Sequence, residues 1–333
     1  MTAVSDLQPA RVAIGLNAVL AVVEDERPKV LCVRAESGLL GLPYGPFDPA
    51  RHRTFEIGLR EWVEEQTKVS LGYIEQLYTF GDKGREAPAA ALVGGGAGDR
   101  IVSVGYLALA PEPAAIEAVN AGWRDWYEFF PWEDWRRGEP EALSGAILPA
   151  LGGWAGGAQG EAEAAARAAR IRLAFGTESG WEEERSLDRY ELMYEAGLVA
   201  EAIRDRPAAG RGEPRAALAC AGAEMISDHR RILATAIGRL RGKLKYRPII
   251  FQLMASKFTL LSLQRTVEAI VGFELHKQNF RRNVEQSGLV TRTKETVQQT
   301  GGRPAALFRV KRSALRDQAA KGLAIPRLRG RPK

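Results

Sequence analysis

Two short amphipathic segments separated by a tight turn, between Thr259 and Gln286, constrain the fold of this chain more than any other feature. Thr259 is a good N-cap for a helix that ends at Gly272, and glycine commonly follows the last turn of a helix. A second helix is predicted from His276 to Gln286. The inward-facing apolar residues are Leu260, Leu263, Val267 and Ile270 in the first helix and Phe280 and Val284 in the second. This arrangement predicts a helix-turn-helix.

The outward face of the second helix is basic and rich in amides. Arg and Gln side chains can form paired hydrogen bonds with guanine and adenine edges in the major groove of DNA. A basic face can also serve only to keep a helix soluble, so the prediction depends on the face and the motif together. The predicted DNA contacts in this motif are Thr259, Lys277, Gln278, Asn279, Arg281 and Arg282.

A two-stranded hairpin is predicted directly after the second helix. The segments LVTRT (289–293) and AALFRV (305–310) flank a polar loop, as the strands of a wing would. Arg303 stands near the tip, where it could enter a minor groove or meet a phosphate. The helix before the motif is predicted from Glu224 to Lys245, and its cations are expected to face phosphates. These cations are Arg239, Arg241, Lys243 and Lys245.

The net charge of +6 conceals a sharp division along the chain. Residues 229–333 contain 24 Lys and Arg against five Asp and Glu, whereas residues 1–228 contain 23 against 36. An acidic front is therefore joined to a basic back. Basic surfaces of this density attract the phosphate backbone of nucleic acids. The last twenty residues also fit a solvated basic tail.

The first hundred residues predict an α+β domain, with strands at Val12–Val23, Val30–Arg34 and Ile101–Leu109 and a helix beginning near Phe55. The acidic part that follows is predicted to be helical, and its Trp126, Trp132 and Trp135 are expected to pack the domain or a dimer interface. Pro/Gly-rich residues then indicate a linker. We therefore divide the chain into a domain with a helical insertion (1–205), a linker (206–222), a DNA-binding domain (223–312) and a basic tail (313–333).

The string REWVEEQ, residues 60–66, contains the candidate metal ligands of the first domain. Helical spacing places Glu61, Glu64 and Glu65 on one side, and carboxylate oxygens so arranged can hold Mg²⁺. A soluble helix with an Arg60–Glu64 ion pair has the same pattern. The string alone does not decide between these interpretations.

Four strings in the basic half, KLKYRPI, FTLLSLQ, HKQNFRR and GRPAALFR, closely resemble the winged-helix domain of the Nudix-related transcriptional regulators. This family includes the bacterial NAD-metabolism regulators NrtR and NadQ. REWVEEQ resembles the core of the Nudix box, whose Arg and three Glu hold magnesium against a diphosphate. The resemblance implies an α/β/α Nudix-like domain fused to a winged helix-turn-helix. It also implies that the first domain binds ADP-ribose, NAD or a related adenine nucleotide as an effector.

Three positions depart from the hydrolase pattern of the box. Pro46 replaces the glycine fourteen residues before Arg60, His52 replaces the glutamate eight residues before it, and Thr67 replaces the glycine after the acidic core. A histidine is a poor ligand for a hard metal ion at neutral pH. We therefore expect the fold and cleft to be retained without hydrolysis, with no required cofactor and with Mg²⁺ at most accompanying the effector.

The effector is expected to bind near this degenerate box. Guanidinium groups suit its phosphates and aromatic rings suit stacking on adenine. A purely structural role is equally compatible with each residue taken singly. The candidates are Tyr44, Phe47, Arg51, Arg53, Arg60, Glu64 and Phe80.

These features predict a sequence-specific regulator, most simply a repressor of NAD biosynthesis genes that binds a palindromic operator as a homodimer. NAD is the favoured effector, ahead of ADP-ribose and ATP. The alternatives are an active Nudix pyrophosphatase with an accessory nucleic-acid-binding domain and an architectural protein without an effector. The sequence has neither a signal peptide nor a long apolar segment, so a cytoplasmic, nucleoid-associated location without a membrane partner is expected.

Overall fold

The computed structural model describes residues 12–85, 100–178, 180–205, 217–298 and 304–311. A seven-stranded mixed sheet forms the centre of the first half. Its strands are β1 (Val12–Glu24), β2 (Arg27–Arg34), β3 (Leu40–Gly41), β4 (Tyr44–Pro46), β5 (Tyr73–Phe80), β6 (Arg100–Leu109) and β7 (Ala121–Asp125). The main order is β3-β2-β1-β6-β5, with β4 paired to β1 and β7 to β2. Strands β1 and β6 are parallel, and the other pairs are antiparallel.

The three predicted strands are confirmed as β1, β2 and β6. Strands β3, β4, β5 and β7 were not among the strands predicted from the sequence. In β5, YIEQLYTF, only Leu77 and Phe80 are buried, because this strand lies at the edge of the sheet. An edge strand needs no continuous apolar face, and that weakens its alternation signal.

Helices cover both faces of the sheet, as the α/β/α prediction requires. Helix α1 (Phe55–Thr67) contains the REWVEEQ string and packs Leu59 and Val63 against Leu16 and Leu20 of β1. Val19 of β1 points to the opposite face of the sheet, where it belongs to a second hydrophobic core. Alternate residues of β1 therefore pack into two different cores.

The acidic part forms a helical layer. Its helices are α2 (Leu148–Gly156), α3 (Glu161–Phe175), α4 (Ser186–Glu195) and α5 (Ala200–Arg204). The helical path is interrupted between α4 and α5, where Gly197 has a φ of +72°. Trp126 and Trp132 are buried, so the prediction that they pack the domain is confirmed.

Helix α6 (His229–Leu244) begins five residues later than the predicted start at Glu224. The preceding backbone is held by tertiary contacts instead. The N–H of Met225 donates to the Glu201 carboxylate at 3.0 Å, and the N–H of Ile226 donates to a β3 carbonyl at 2.9 Å. These bonds replace the helical bonds that local propensity would favour.

One hydrophobic core continues from the sheet to the C-terminal hairpin. It includes Val19 of the sheet and Phe308 near the C-terminal end of the described residues. Residues 217–222, expected to belong to the linker, are part of this arrangement, since Ala221 is buried and the N–H of Leu218 donates to the Leu198 carbonyl at 3.0 Å. The rest of the expected linker, 206–216, and the tail 313–333 lie outside the described residues.

The basic half contains the predicted winged helix-turn-helix. Its elements are α7 (Leu260–Val271), α8 (Lys277–Gln286), β8 (Val290–Val297) and β9 (Ala305–Val310). Strands β8 and β9 pair antiparallel. Within the described ranges, no helix has the length and apolar composition needed to cross a membrane.

Candidate functional site

The first helix of the motif is capped as predicted. Oγ1 of Thr259 accepts the Ser262 N–H at 2.9 Å, and Oγ of Ser262 accepts the Thr259 N–H at 3.0 Å. Gly272 ends the helix with a φ of +84°. Thr259 is buried, and this cap accounts for its hydroxyl, whereas its predicted contact with DNA stays a prediction.

The outward face of α8 is open to solvent. Phe280 and Val284 are buried, and the imidazole of His276 accepts the Asn279 N–H to cap the helix. Asn279 is half-buried and its Oδ1 accepts from Arg282 at 3.2 Å. The exposed residues of this face include Lys277, Gln278, Arg281 and Arg282. This face therefore presents the donor groups that base edges require, and the contact itself stays a prediction.

Four wing cations that the sequence analysis did not single out are also exposed. They are Arg292, Lys294, Arg309 and Lys311. The basic alternation in TRTKET was the available signal, because every second residue of a strand shares a face. Arg303, predicted at the wing tip, lies outside the described residues.

The cations at the C-terminal end of α6 are not all placed as predicted: Arg239 is exposed and its phosphate contact stays a prediction, whereas the others differ. Arg241 is wholly buried, so the expectation that it faces phosphates is wrong. Lys243 pairs with Glu75 of β5, and Lys245 pairs with Glu184 at 2.6 Å. A phosphate contact by either lysine would require its ion pair to open.

The C-terminal end of α7 is bound to the rest of the protein. Three of its last carbonyls accept hydrogen bonds from outside the motif, two from the segment after β7 and one from α6. The pairs are Tyr127 Oη to Ala269 at 2.8 Å, Arg241 Nε to Ile270 at 2.8 Å, and the Trp135 N–H to Gly272 at 2.6 Å. The winged helix is therefore attached to the first domain through defined polar contacts.

At the degenerate box, protein groups surround Glu61. The guanidinium of Arg51 pairs with it, and Nε2 of His52 lies 3.3 Å from its other oxygen. His52 is buried, and its Nδ1 accepts the Asp48 N–H at 3.1 Å. In the described part of the chain, no three His, Cys, Asp or Glu side chains converge as a metal site.

Arg60 and the other two glutamates of the box are separate from this contact. Arg60 pairs with Glu56 at 2.9 Å rather than with Glu64, which corrects the predicted pairing. It also donates to the carbonyls of Leu71 and Gly72, so it holds the segment after α1. The side chains of Glu64 and Glu65 are exposed.

The candidate aromatic groups divide between the two faces of the sheet. Phe47 packs against Phe55 and His52 on the α1 side. Tyr44 is half-buried with its ring edge towards His229 of α6, at 5.1 Å between centroids. Phe80 belongs to the opposite core, where Arg231 covers it, so its predicted place near the box is wrong. Among the cationic candidates, Arg53 is exposed.

Residues 250–310 match the family model of the NrtR DNA-binding winged helix domain. The ADPR responsive transcriptional repressor NtrR of Acinetobacter baylyi is 38% identical over 86 residues, which are 26% of this chain. That match spans 34% of the length of the curated relative.

Two solved structures share the overall fold. Shewanella oneidensis NrtR in complex with a 27mer DNA has 21% identity and a TM-score of 0.55, over 94% of this chain and 99% of that one. A MutT/nudix family protein from Enterococcus faecalis has 15% identity and a TM-score of 0.50, over 92% of this chain and 88% of that one. The predicted resemblance to NrtR is therefore confirmed for the winged helix domain over residues 250–310, and the fold of this chain matches that of the two solved structures.

Proposed function

We propose that this chain is a DNA-binding transcriptional repressor whose Nudix-like domain binds ADP-ribose as its effector. The exposed basic and amide face of α8, set in a helix-turn-helix with a wing, carries this proposal. The match of residues 250–310 to the NrtR winged helix domain supports it. Such a face suits the major groove, and the wing cations suit the neighbouring phosphates.

The name of the curated relative favours ADP-ribose over NAD and ATP as the effector. The candidate groups are Phe47, Arg53, Arg60 and Glu64 beside α1, and Tyr44, whose ring lies beside His229 of α6. Binding by Arg51 would compete with its pair to Glu61. NAD biosynthesis genes remain the proposed targets.

We further propose that the domain binds without hydrolysing. In an active box, glutamates hold magnesium against the diphosphate, but here Arg51 and the buried His52 occupy one of the three, Glu61. A guanidinium beside a carboxylate lowers its attraction for Mg²⁺. Glu64 and Glu65 remain exposed, so one carboxylate fewer is available for magnesium than in the active box that REWVEEQ resembles.

A homodimer on a palindromic operator would place two α8 helices in successive major grooves. The effector releases DNA only if it binds the DNA-incompetent arrangement more tightly. A typical coupling of about 1–3 kcal/mol changes operator affinity roughly 5- to 150-fold. By linkage, operator DNA must weaken effector binding by the same factor.

That reciprocity supplies the test. Titration calorimetry with ADP-ribose, NAD and ATP, with and without a duplex from the promoter region of the chain's own gene, measures both directions. We expect ADP-ribose to bind and the duplex to weaken its binding. Equal ADP-ribose affinity with and without duplex, or no binding below the millimolar range, contradicts the effector proposal and favours the architectural alternative.

The hydrolase alternative has a separate test. Purified protein is incubated with ADP-ribose and Mg²⁺ or Mn²⁺ beside a variant with Glu64→Gln and Glu65→Gln. We expect the two proteins to show the same background turnover. Robust turnover that the double change abolishes would establish the pyrophosphatase instead.

A further inference from the structure

Two buried polar side chains of α7 face the turn that leads to α8. Gln264 and Glu268 lie one helical turn apart and are 4% and 3% exposed. Their neighbours Leu263 and Val267 are buried apolar residues of the same helix. Burying a carboxylate and an amide destabilises a fold unless their partners compensate. Their partners therefore indicate their role.

Both side chains bind the backbone of Leu275 in the turn. Oε1 of Glu268 accepts the Leu275 N–H at 2.8 Å, and Nε2 of Gln264 donates to the Leu275 carbonyl at 3.0 Å. Nε2 of Gln264 also donates to Oε1 of Glu268 at 2.8 Å. The two side chains thus form a closed clamp on one residue, here called the turn clamp.

The turn clamp acts where α8 begins. Leu275 directly precedes His276, the N-cap of α8. A ten-residue helix is about 15 Å long, so a rotation of about 10° at its start displaces its far end by about 2–3 Å. Recognition geometry must hold to about 0.5 Å. A small error at Leu275 would therefore remove base contacts at Arg281 and Arg282.

The remaining oxygens of Gln264 and Glu268 lack good hydrogen-bond partners among the described residues, so they do not stabilise the fold. Oε1 of Gln264 is buried and has no hydrogen-bond partner among the described residues. An unsatisfied buried acceptor destabilises a fold. The second oxygen of Glu268 meets only the partly exposed Arg265, at 3.3 Å, among the described residues. An apolar side chain at either position would avoid these penalties, but it would leave one backbone group of Leu275 without its partner.

We infer that Gln264 and Glu268 are positioning residues for DNA recognition, which hold α8 at the angle needed to read base edges. The inference rests on the proposed function, since it requires an operator that α8 reads. It assigns the two buried polar groups to specificity rather than to stability.

Full-length variants separate these two roles. Gln264→Met and Glu268→Met keep the side-chain length and remove the clamp atoms. Glu268→Gln keeps an acceptor for the Leu275 N–H. Arg265→Met is the matched control, because it removes a neighbour of Glu268 and leaves the clamp. Each protein is measured against operator duplex and scrambled duplex of equal length, and its thermal unfolding midpoint is recorded.

We expect both methionine variants to lose roughly tenfold or more in operator affinity, from the hydrogen bonds removed. Affinity for scrambled duplex, which depends on phosphate contacts, should change less than about twofold. Their unfolding midpoints should fall only modestly, because each variant leaves one Leu275 backbone group unpaired but also removes the penalties of the unsatisfied clamp atoms. Glu268→Gln should recover most of the operator affinity, and Arg265→Met should keep the ratio between the two duplexes.

An unchanged ratio in Gln264→Met and Glu268→Met overturns the inference while leaving the proposed function intact. An equal loss on both duplexes, following a lower unfolding midpoint, also overturns it and assigns the clamp to stability. If the unmodified chain fails to discriminate operator from scrambled duplex, the proposed function itself fails, and the inference fails with it.

Discussion

Replacing Glu133 by glutamine should destabilise the chain by about 3 kcal/mol. Glu133 is buried between two buried guanidiniums, with Oε1 2.6 Å from Nε of Arg189 and Oε2 paired to Arg241. Burial alone would raise the pKa of Glu133, but the charges of Arg189 and Arg241 outweigh burial and lower it. The carboxylate is therefore ionised at neutral pH.

The expected loss of stability depends on the hydrogen bonds that each guanidinium keeps after the change. Removing one partner of a buried ion pair typically costs about 3–5 kcal/mol. After the change, Arg189 still donates to the Ala174 carbonyl at 2.9 Å and Arg241 to the Ile270 carbonyl at 2.8 Å. These carbonyls lie at the C-terminal ends of α3 and α7, where helix dipoles favour cations. The expected loss therefore lies at the lower end of that range.

Urea unfolding at pH 7, followed by tryptophan fluorescence, measures the loss. The matched control is Glu163→Gln, since Glu163 is exposed and pairs with Arg167 one turn along α3. An exposed pair of this kind contributes less than about 0.5 kcal/mol. A lowered pKa means that the stabilisation by Glu133 is complete above its ordinary pKa and is lost as the pH falls through the folded-state value. The difference in unfolding free energy between the unmodified chain and Glu133→Gln should therefore narrow only in acid. A Glu133→Gln variant as stable as the Glu163→Gln control at pH 7 refutes this reasoning.

Three further outcomes are expected. Arg281→Ala or Arg282→Ala should weaken operator binding by about 1–3 kcal/mol with altered base preference, and unchanged binding in both variants would remove α8 from the interface. Burial raises the pKa of Asp228 to about 6, so the fold loses stability as the pH rises through that value and the carboxylate ionises. Asp228→Asn should therefore raise the urea midpoint more at pH 8 than at pH 5, and equal shifts would contradict this. Gly272→Ala should cost more stability than Gly288→Ala in thermal unfolding, because both have positive φ but only a Cβ at Gly272 would clash with backbone; equal losses would show that φ alone matters.

The helix-turn-helix is largely predictable from sequence because its signals are local. The cap at Thr259, the left-handed Gly272 and the inward Phe280 depend on neighbours within one or two helical turns. Helical period and capping chemistry therefore located both helices and the outward face of α8. The positions that break the Nudix box, such as His52, were likewise visible as substitutions.

The roles of the α6 cations, by contrast, depend on residues far away along the chain. Arg241, Lys243 and Lys245 follow one another closely at the C-terminal end of a helix, where cations are usually exposed. Lys243 nevertheless pairs with Glu75, a carboxylate 168 residues away along the chain. Whether a charge is buried and paired depends on where distant segments meet, and one helix carries no information about this. The same limit applies to Phe80, which a strand could place on either face of the sheet. Periodicity along one segment thus determined the helix-turn-helix, whereas the packing of the sheet, the acidic helices and α6 determined which cations stayed exposed.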